Sequence, residues 1–204
     1  YDFTPTEEHP VPILHTSTIT GSVVDDNDAV IVGATVKAVN RENPEESFET
    51  TTDSQGKYIL PVRFKAYAWE TLQKFDLDIT RDGFTTKQAL VDVIANRTAG
   101  AGKSILKILD SVITRIDQAG GMHINSTGDF RVIIPPGALS QAKDIRATLY
   151  NKSKQLPAPL PSTTVYTFSG VLTADDKDVI FNEPVTVQIA NSLGFVPGLQ
   201  IPIG

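Results

Sequence analysis

At 204 residues, 40% apolar and 21% charged, the chain has a globular composition with room for one large core or two smaller ones, which excludes an intrinsically disordered chain. Its formal net charge of −6 argues against nucleic-acid binding, because an acidic chain gains nothing from counterion release. It has no cysteine, so disulfides, zinc thiolates and cysteine nucleophiles are excluded, and no apolar run approaches the ~20 residues that span a bilayer.

Residues 1–16 read as an extended linker or a strand along an edge, because Pro5, Pro10 and Pro12 forbid a regular helix. With neither an initiating Met nor a signal peptide at Tyr1, the sequence reads as a mature or excised segment of something longer. Strand signals follow. "ITGSVVD" (19–25) is rich in β-branched residues and closes on the polar turn "DNDA". In "ATVKAVN" (34–40), Ala34, Val36 and Ala38 share one face and Thr35 and Lys37 the other, the period of a half-buried strand. "FETTTD" (48–53) is a strand that enters the turn "DSQG", where Gly56 can take a positive φ. Tyr58, Leu60, Val62 and Phe64 line one face of the next strand, Phe75, Leu77 and Ile79 one face of the strand after, and "QALVDVIA" (88–95) is a further strand.

The stretch 104–119 is ambiguous. Ile105, Leu109, Val112 and Ile116 have helical spacing with Gly120 as a stop, whereas Val112, Ile113, Thr114 and Ile116 are β-branched. Two short strands with a domain boundary near Asp110–Ser111 suit the surrounding sheet pattern better. Beyond it, Met122 and Ile124, the turn "STGD", and Phe130, Val132 and Ile134 spell a hairpin stopped by Pro135 and Pro136. "DIRATLY", "TTVYTFSGVL" and "PVTVQIA" complete about a dozen strands. The pattern predicts an all-β protein of two tandem β-sandwiches, over 17–110 and 111–190, with a C-terminal linker over 191–204.

Six features invite a chemical reading. "AGAGKS" (99–104) looks like a phosphate loop, but the leading glycine such a loop requires falls at Arg97, and no strand–loop–helix pattern surrounds it. It reads instead as a loop joining two strands, with Gly100 and Gly102 allowing the turn. Asp25, Asp26 and Asp28 follow the first strand, Asp53 the third and Asp82 the fifth. In antiparallel alternation these turns emerge at one pole. Asp favours turns because its side chain bonds nearby backbone. The alternative is a calcium site built from these five carboxylates, which would make calcium the only cofactor. The same weighing applies to "TADDKD" (173–178), where Lys177 intrudes.

Of the three histidines, His9 and His15 fall in the N-terminal linker and His123 in a strand, as a surface or interface side chain, and none has a metal-type spacing. No Gly-x-Ser-x-Gly elbow is present, so no catalytic residue is assigned. A Lys–Asn isopeptide bond is disfavoured because Lys37 alternates away from its strand's Val/Ala face. Tyr67 and Trp69 form either a sugar-stacking pair on a loop or, for Trp69, a cover over the open end of the core. Asn96, Asn125 and Asn151 stand in Asn-x-Ser/Thr triplets, which matter only in a eukaryotic secretory pathway.

The residues "TGSVVD", "VGATVKAVN", "ETTTDSQGKYIL" and "DITRDGFTT", in that order, resemble the carboxypeptidase regulatory-like (transthyretin-like) domain across about 17–110. That resemblance implies a seven-stranded sandwich used as a stalk, spacer or adhesion module, without catalysis. "AGGMHI", "FRVIIPPGAL" and "FNEPVTVQIA" resemble the β-sandwich module of tight-junction scaffolds, ankyrins and netrin receptors, across about 118–190. Some relatives of that module cut their own chain at His-Phe-Ser. Here Thr167 replaces the histidine before Phe168 and Ser169, so the general base is missing. The tail "LGFVPGLQIPIG" resembles the junction before YD-repeat-type regions of large bacterial surface proteins and teneurins, which implies continuation beyond Gly204. Together these imply a structural, spacer or adhesion segment of a cell-surface or secreted protein. Its partners would be neighbouring domains and a glycan or protein ligand, with no nucleic acid and no membrane insertion. The alternatives are a calcium- or carbohydrate-binding module and a self-cleaving linker.

Overall fold

The computed structural model describes residues 11–67, 71–150, 155–158, 169–175, 177–191 and 194. It contains fourteen strands and no α-helix among those residues. The chain divides into two units at Lys107/Ile108, and Pro157 and Ala158 group with the first.

The first unit is built from β1 (Ile13–Val24), β2 (Thr35–Asn40), β3 (Ser47–Thr51), β4 (Lys57–Ala66), β5 (Leu72–Thr80), β6 (Lys87–Ile94) and β7 (Thr98–Ile105). They form two sheets, ordered β4-β1-β7 and β3-β2-β5-β6. The period-two faces read from the sequence are the core faces. Tyr58, Leu60, Val62 and Phe64 of one sheet meet Val36, Ala38, Phe75, Leu77 and Ile79 of the other in a single apolar cluster. Alternation puts every second side chain into that cluster and leaves its neighbours outside, which is the arrangement of a sandwich.

β1 begins at Ile13, inside the stretch that its prolines marked as a linker through Thr16, and lies at the centre of its sheet. It pairs antiparallel with β4 and parallel with β7. The entry and exit strands of the unit therefore run side by side in the same direction.

The second unit is built from β8 (Thr114–Ile116), β9 (Gly121–Ile124), β10 (Phe130–Ile134), β11 (Lys143–Tyr150), β12 (Ser169–Ala174), β13 (Lys177–Asp178) and β14 (Thr186–Ile189). Its sheets are β14-β10-β9 and β13-β12-β11-β8, and the predicted hairpin is the β9–β10 pair. Phe130, Val132 and Ile134 pack against Ile116, Ile145, Ala147 and Ala174. The ambiguous stretch after Ile105 is not helical. Only Thr114–Ile116 is a strand, pairing with β11, so sheet pairing overrides the helical spacing.

Candidate functional site

The turns after β1, β3 and β5 do meet. The Gly56 carbonyl accepts from the Val23 amide at 2.8 Å, and the Arg81 guanidinium donates to the Gly33 carbonyl at 3.0 Å. Gly56 is required at its place: its φ is +70°, and a Cβ there would lie 2.7 Å from the Val23 carbonyl oxygen.

The five aspartates of this pole are not arranged as one ligand set. Asp25 is buried, and its Oδ1 accepts from the Asn27 and Ala29 amides at 2.8 and 2.9 Å, closing its own turn. Asp53 Oδ1 does the same for Gln55 and Lys57, at 2.8 and 2.9 Å. Asp26 pairs with Lys107 at 3.2 Å, Asp28 with Lys103 at 2.9 Å, and Asp82 lies exposed in the β5–β6 turn. Interleaved Arg81, Lys103 and Lys107 offset part of the charge of this pole. Among the described residues no three acidic or imidazole groups converge as a metal would require. In the second unit, Asp175 has the same kind of role. Its carboxylate accepts from the Asp144 amide at 3.0 Å and from Lys143 at 2.6 Å, bonds that, with Arg115 nearby, lower its pKa. Asp176 lies outside the described residues.

"AGAGKS" is a strand, not a loop. Thr98–Gly100 pair with Thr18–Thr20, and Gly102–Ile105 pair with Gly21–Val24, which leaves Ala101 as a bulge. Gly102, at φ +74°, makes the bulge possible. Lys103 is held by Asp28, and Ser104 is buried. Sequence reading missed this because a parallel partner 80 residues away leaves no local signal.

Both described histidines depart from expectation. His15 is a buried β1 residue beside Phe64, its Nδ1 accepting from the Asn96 side-chain amide at 3.1 Å. His123 is fully buried, not a surface side chain. Its Nε2 accepts from the Ala147 amide at 3.1 Å, and its Nδ1 lies 2.9 Å from Thr114 Oγ1. A backbone N–H can only donate, so the proton of the neutral ring sits on Nδ1 and points at the threonine. Burial lowers its pKa, against a weaker opposing pull from Asp110. His9 lies outside the described residues.

Asn125 is also buried. Its amide bonds Thr127 and Asp129, and its carbonyl receives the Phe130 amide, so it organises the β9–β10 turn. Lys37 points outward, in register with Glu49 and Asp78. Ser169 opens β12, and Thr167 and Phe168 lie outside the described residues, as does Asn151. Tyr67 is 68% exposed just after β4, and Trp69 lies outside the described residues.

Beside the acidic pole, the outer face of β4-β1-β7 carries an open groove of about 750 Å³. Its floor is the backbone of Gly21, Gly100 and Gly102, and its walls include Thr20, Ser22, Lys57 and Ile59. The Tyr58 ring packs where a Gly21 Cβ would stand, and burial raises its hydroxyl pKa to about 12.

Residues 18–102 match the family model of the carboxypeptidase regulatory-like domain, and residues 112–192 match that of the ZU5 domain. The chain carries a regulatory-like segment followed by a ZU5 segment. That is the arrangement the quoted motifs implied, and both families are of non-catalytic modules. No curated protein matches the chain. Among solved structures it is similar to 3-chlorocatechol 1,2-dioxygenase from Rhodococcus opacus 1CP, with 12% identity over 47% of this chain and 61% of that one, at a TM-score of 0.35. It is also similar to chlorocatechol 1,2-dioxygenase from Pseudomonas putida, with 12% identity over 46% and 61%, at a TM-score of 0.33. This chain thus spans about three fifths of those proteins.

Proposed function

We propose that the chain is a load-bearing spacer and adhesion segment of a cell-surface or secreted protein. One observation carries this reading: in the regulatory-like unit the entry strand β1 and the exit strand β7 are parallel neighbours. Parallel neighbours place the entry at the Ile13 end and the exit at the Ile105 end of the unit. Tension between the two ends therefore loads the β1–β7 hydrogen bonds together, in shear. Antiparallel strands pulled from adjacent ends would release their bonds one after another.

The polar residues of this unit support the same reading. Thr52 Oγ1 donates to the Ile31 carbonyl at 2.6 Å and accepts from the Ala34 amide at 2.8 Å, stitching the β1–β2 connection to the end of β3. Asp25 and Asp53 close turns. These groups stiffen the unit.

The test is single-molecule extension of the whole chain from its ends. The regulatory-like unit should yield last, releasing about 300 Å of chain at the extended length of ~3.5 Å per residue. Yielding of that unit at the lowest force would refute the load-bearing role.

A further inference from the structure

The two outer faces of the regulatory-like sandwich differ in charge. The strands β4, β1 and β7 contain Lys57, Arg63, Lys65 and Lys103 and no aspartate or glutamate. The opposite sheet carries Glu49, Asp76, Asp78 and Asp92 against Lys37, Lys74 and Lys87. In a chain of net charge −6, a whole sheet without an acid is a local reversal of sign.

The burial pattern places the cations outward. On β4 the exposed positions are Lys57, Ile59, Pro61, Arg63 and Lys65, and exposed Tyr67 follows in the same alternation. Lys57 and Lys65 stand about 27 Å apart along the strand at ~3.4 Å per residue. Lys57, Arg63 and Lys65 make no ion pair among the described residues, unlike Lys103, which Asp28 holds.

Beside this row, β1 presents Thr16, Thr18, Thr20 and Ser22, in register with Arg63, Pro61, Ile59 and Lys57. Beside that, Gly100 and Gly102 of β7 leave the groove open. Asp53 is the acid at the groove's end, and its Oδ1 is engaged by two backbone amides.

We propose that this face docks an anionic polysaccharide, sulfated or uronate-bearing, lying along β4. This proposal rests on the adhesion half of the function above and supplies its ligand chemistry. A row of spaced cations matches repeated acidic groups on one extended chain. The neighbouring hydroxyl row both donates and accepts hydrogen bonds, as sugar hydroxyls require. The glycine floor admits a ring where any larger side chain would fill the space, and Tyr67 offers an aromatic face at the end of the row. Single-stranded nucleic acid is the poorer fit, because base stacking calls for aromatics interleaved along the cations, and the outward positions of β1, β4 and β7 hold none.

The test measures binding of the whole chain to a heparin fragment and to polygalacturonate over a salt series, with neutral dextran as control. Both polyanions should bind at low salt and dextran should not. The combined variant Lys57→Gln, Arg63→Gln, Lys65→Gln should weaken binding at least ten-fold and reduce the slope of log affinity against log salt by roughly two to three. Gly100→Leu should weaken binding several-fold with an unchanged melting temperature, because a Cβ at Gly100 meets nothing within 4 Å. Lys37→Gln with Lys74→Gln, on the opposite sheet, should leave binding unaltered.

The proposal is overturned if neither polyanion binds, if the triple variant binds as the parent does, or if an oligonucleotide binds equally well. Salt-sensitive self-association of the chain without any polyanion would also overturn it, by giving the basic face to a second copy. A failed binding test with the extension result intact would remove this ligand and leave the spacer role standing.

Discussion

The regulatory-like unit and the ZU5 unit reach the same architecture by different means. In the first, strands run to twelve residues, and the largest fully buried side chains, such as Phe64, Phe75, Leu60 and Leu77, are all apolar. Among the described residues of the second, strands run to eight residues, and the large fully buried side chains include a histidine. The ZU5 unit draws part of its cohesion from buried hydrogen bonds. His123, on β9, reaches β11 and β8 of the other sheet. The contrast teaches that the buried polar bonds of the first unit, those of Thr52 among them, hold at any ordinary pH, whereas the bolt of the second works only when uncharged.

The largest break in this contrast should come from Phe75→Ala. Deleting a fully buried ring is expected to cost about 4 kcal/mol, with hydrogen-exchange protection lost in β2, β4 and β5. Equal loss of protection in β10 and β11 would contradict two separate cores.

His123→Ala is expected to destabilise the ZU5 unit by about 3 kcal/mol, through a cavity and an unpaired Ala147 amide. The parent should show a related pH effect. The folded unit holds the ring neutral, with its pKa lowered, whereas the unfolded chain takes up the proton near 6.5. Stability from this residue is therefore complete above about 6.5 and lost as the pH falls below it. Amide protection factors in β9 and β11, corrected for intrinsic exchange, should fall as the pH drops below about 6.5 in the parent and not in His123→Ala. A flat profile in the parent would remove the bolt.

Thr52→Val should cost the regulatory-like unit about 2 kcal/mol, because it strands the Ala34 amide and removes the bond to the Ile31 carbonyl. Thermal melting checks it. The smallest effect is expected for Gly21→Ala, about 1–2 kcal/mol, since the Tyr58 hydroxyl end stands 2.5 Å from the new Cβ and must shift.

The faces of the strands were legible because period-two alternation is a local signal. Ala34, Val36 and Ala38 are wholly buried, as are Val132 and, nearly so, Phe130 and Ile134. Turn chemistry was legible for the same reason: Gly56 and Asp53 serve the turn that their order spelled. What depends on distant partners was not. His123 is an unremarkable residue of a short strand until Ala147 and Thr114 are brought to it. Gly100 and Gly102 suggest a loop until β1 pairs with them. The acid-free sheet was hidden because its cations come from strands that are far apart in sequence and dilute in an acidic chain.

The most direct measurement compares two pulling directions on the regulatory-like unit within the whole chain. The absence of native cysteine allows cysteine handles at chosen places. Handles at the Ile13 and Ile105 ends load β1 and β7 in shear, and handles at Leu14 and Lys65, a directly paired position of β1 and β4, peel those strands apart. Unfolding force should be several-fold higher in the first geometry. Equal forces in both would contradict a unit built to carry tension.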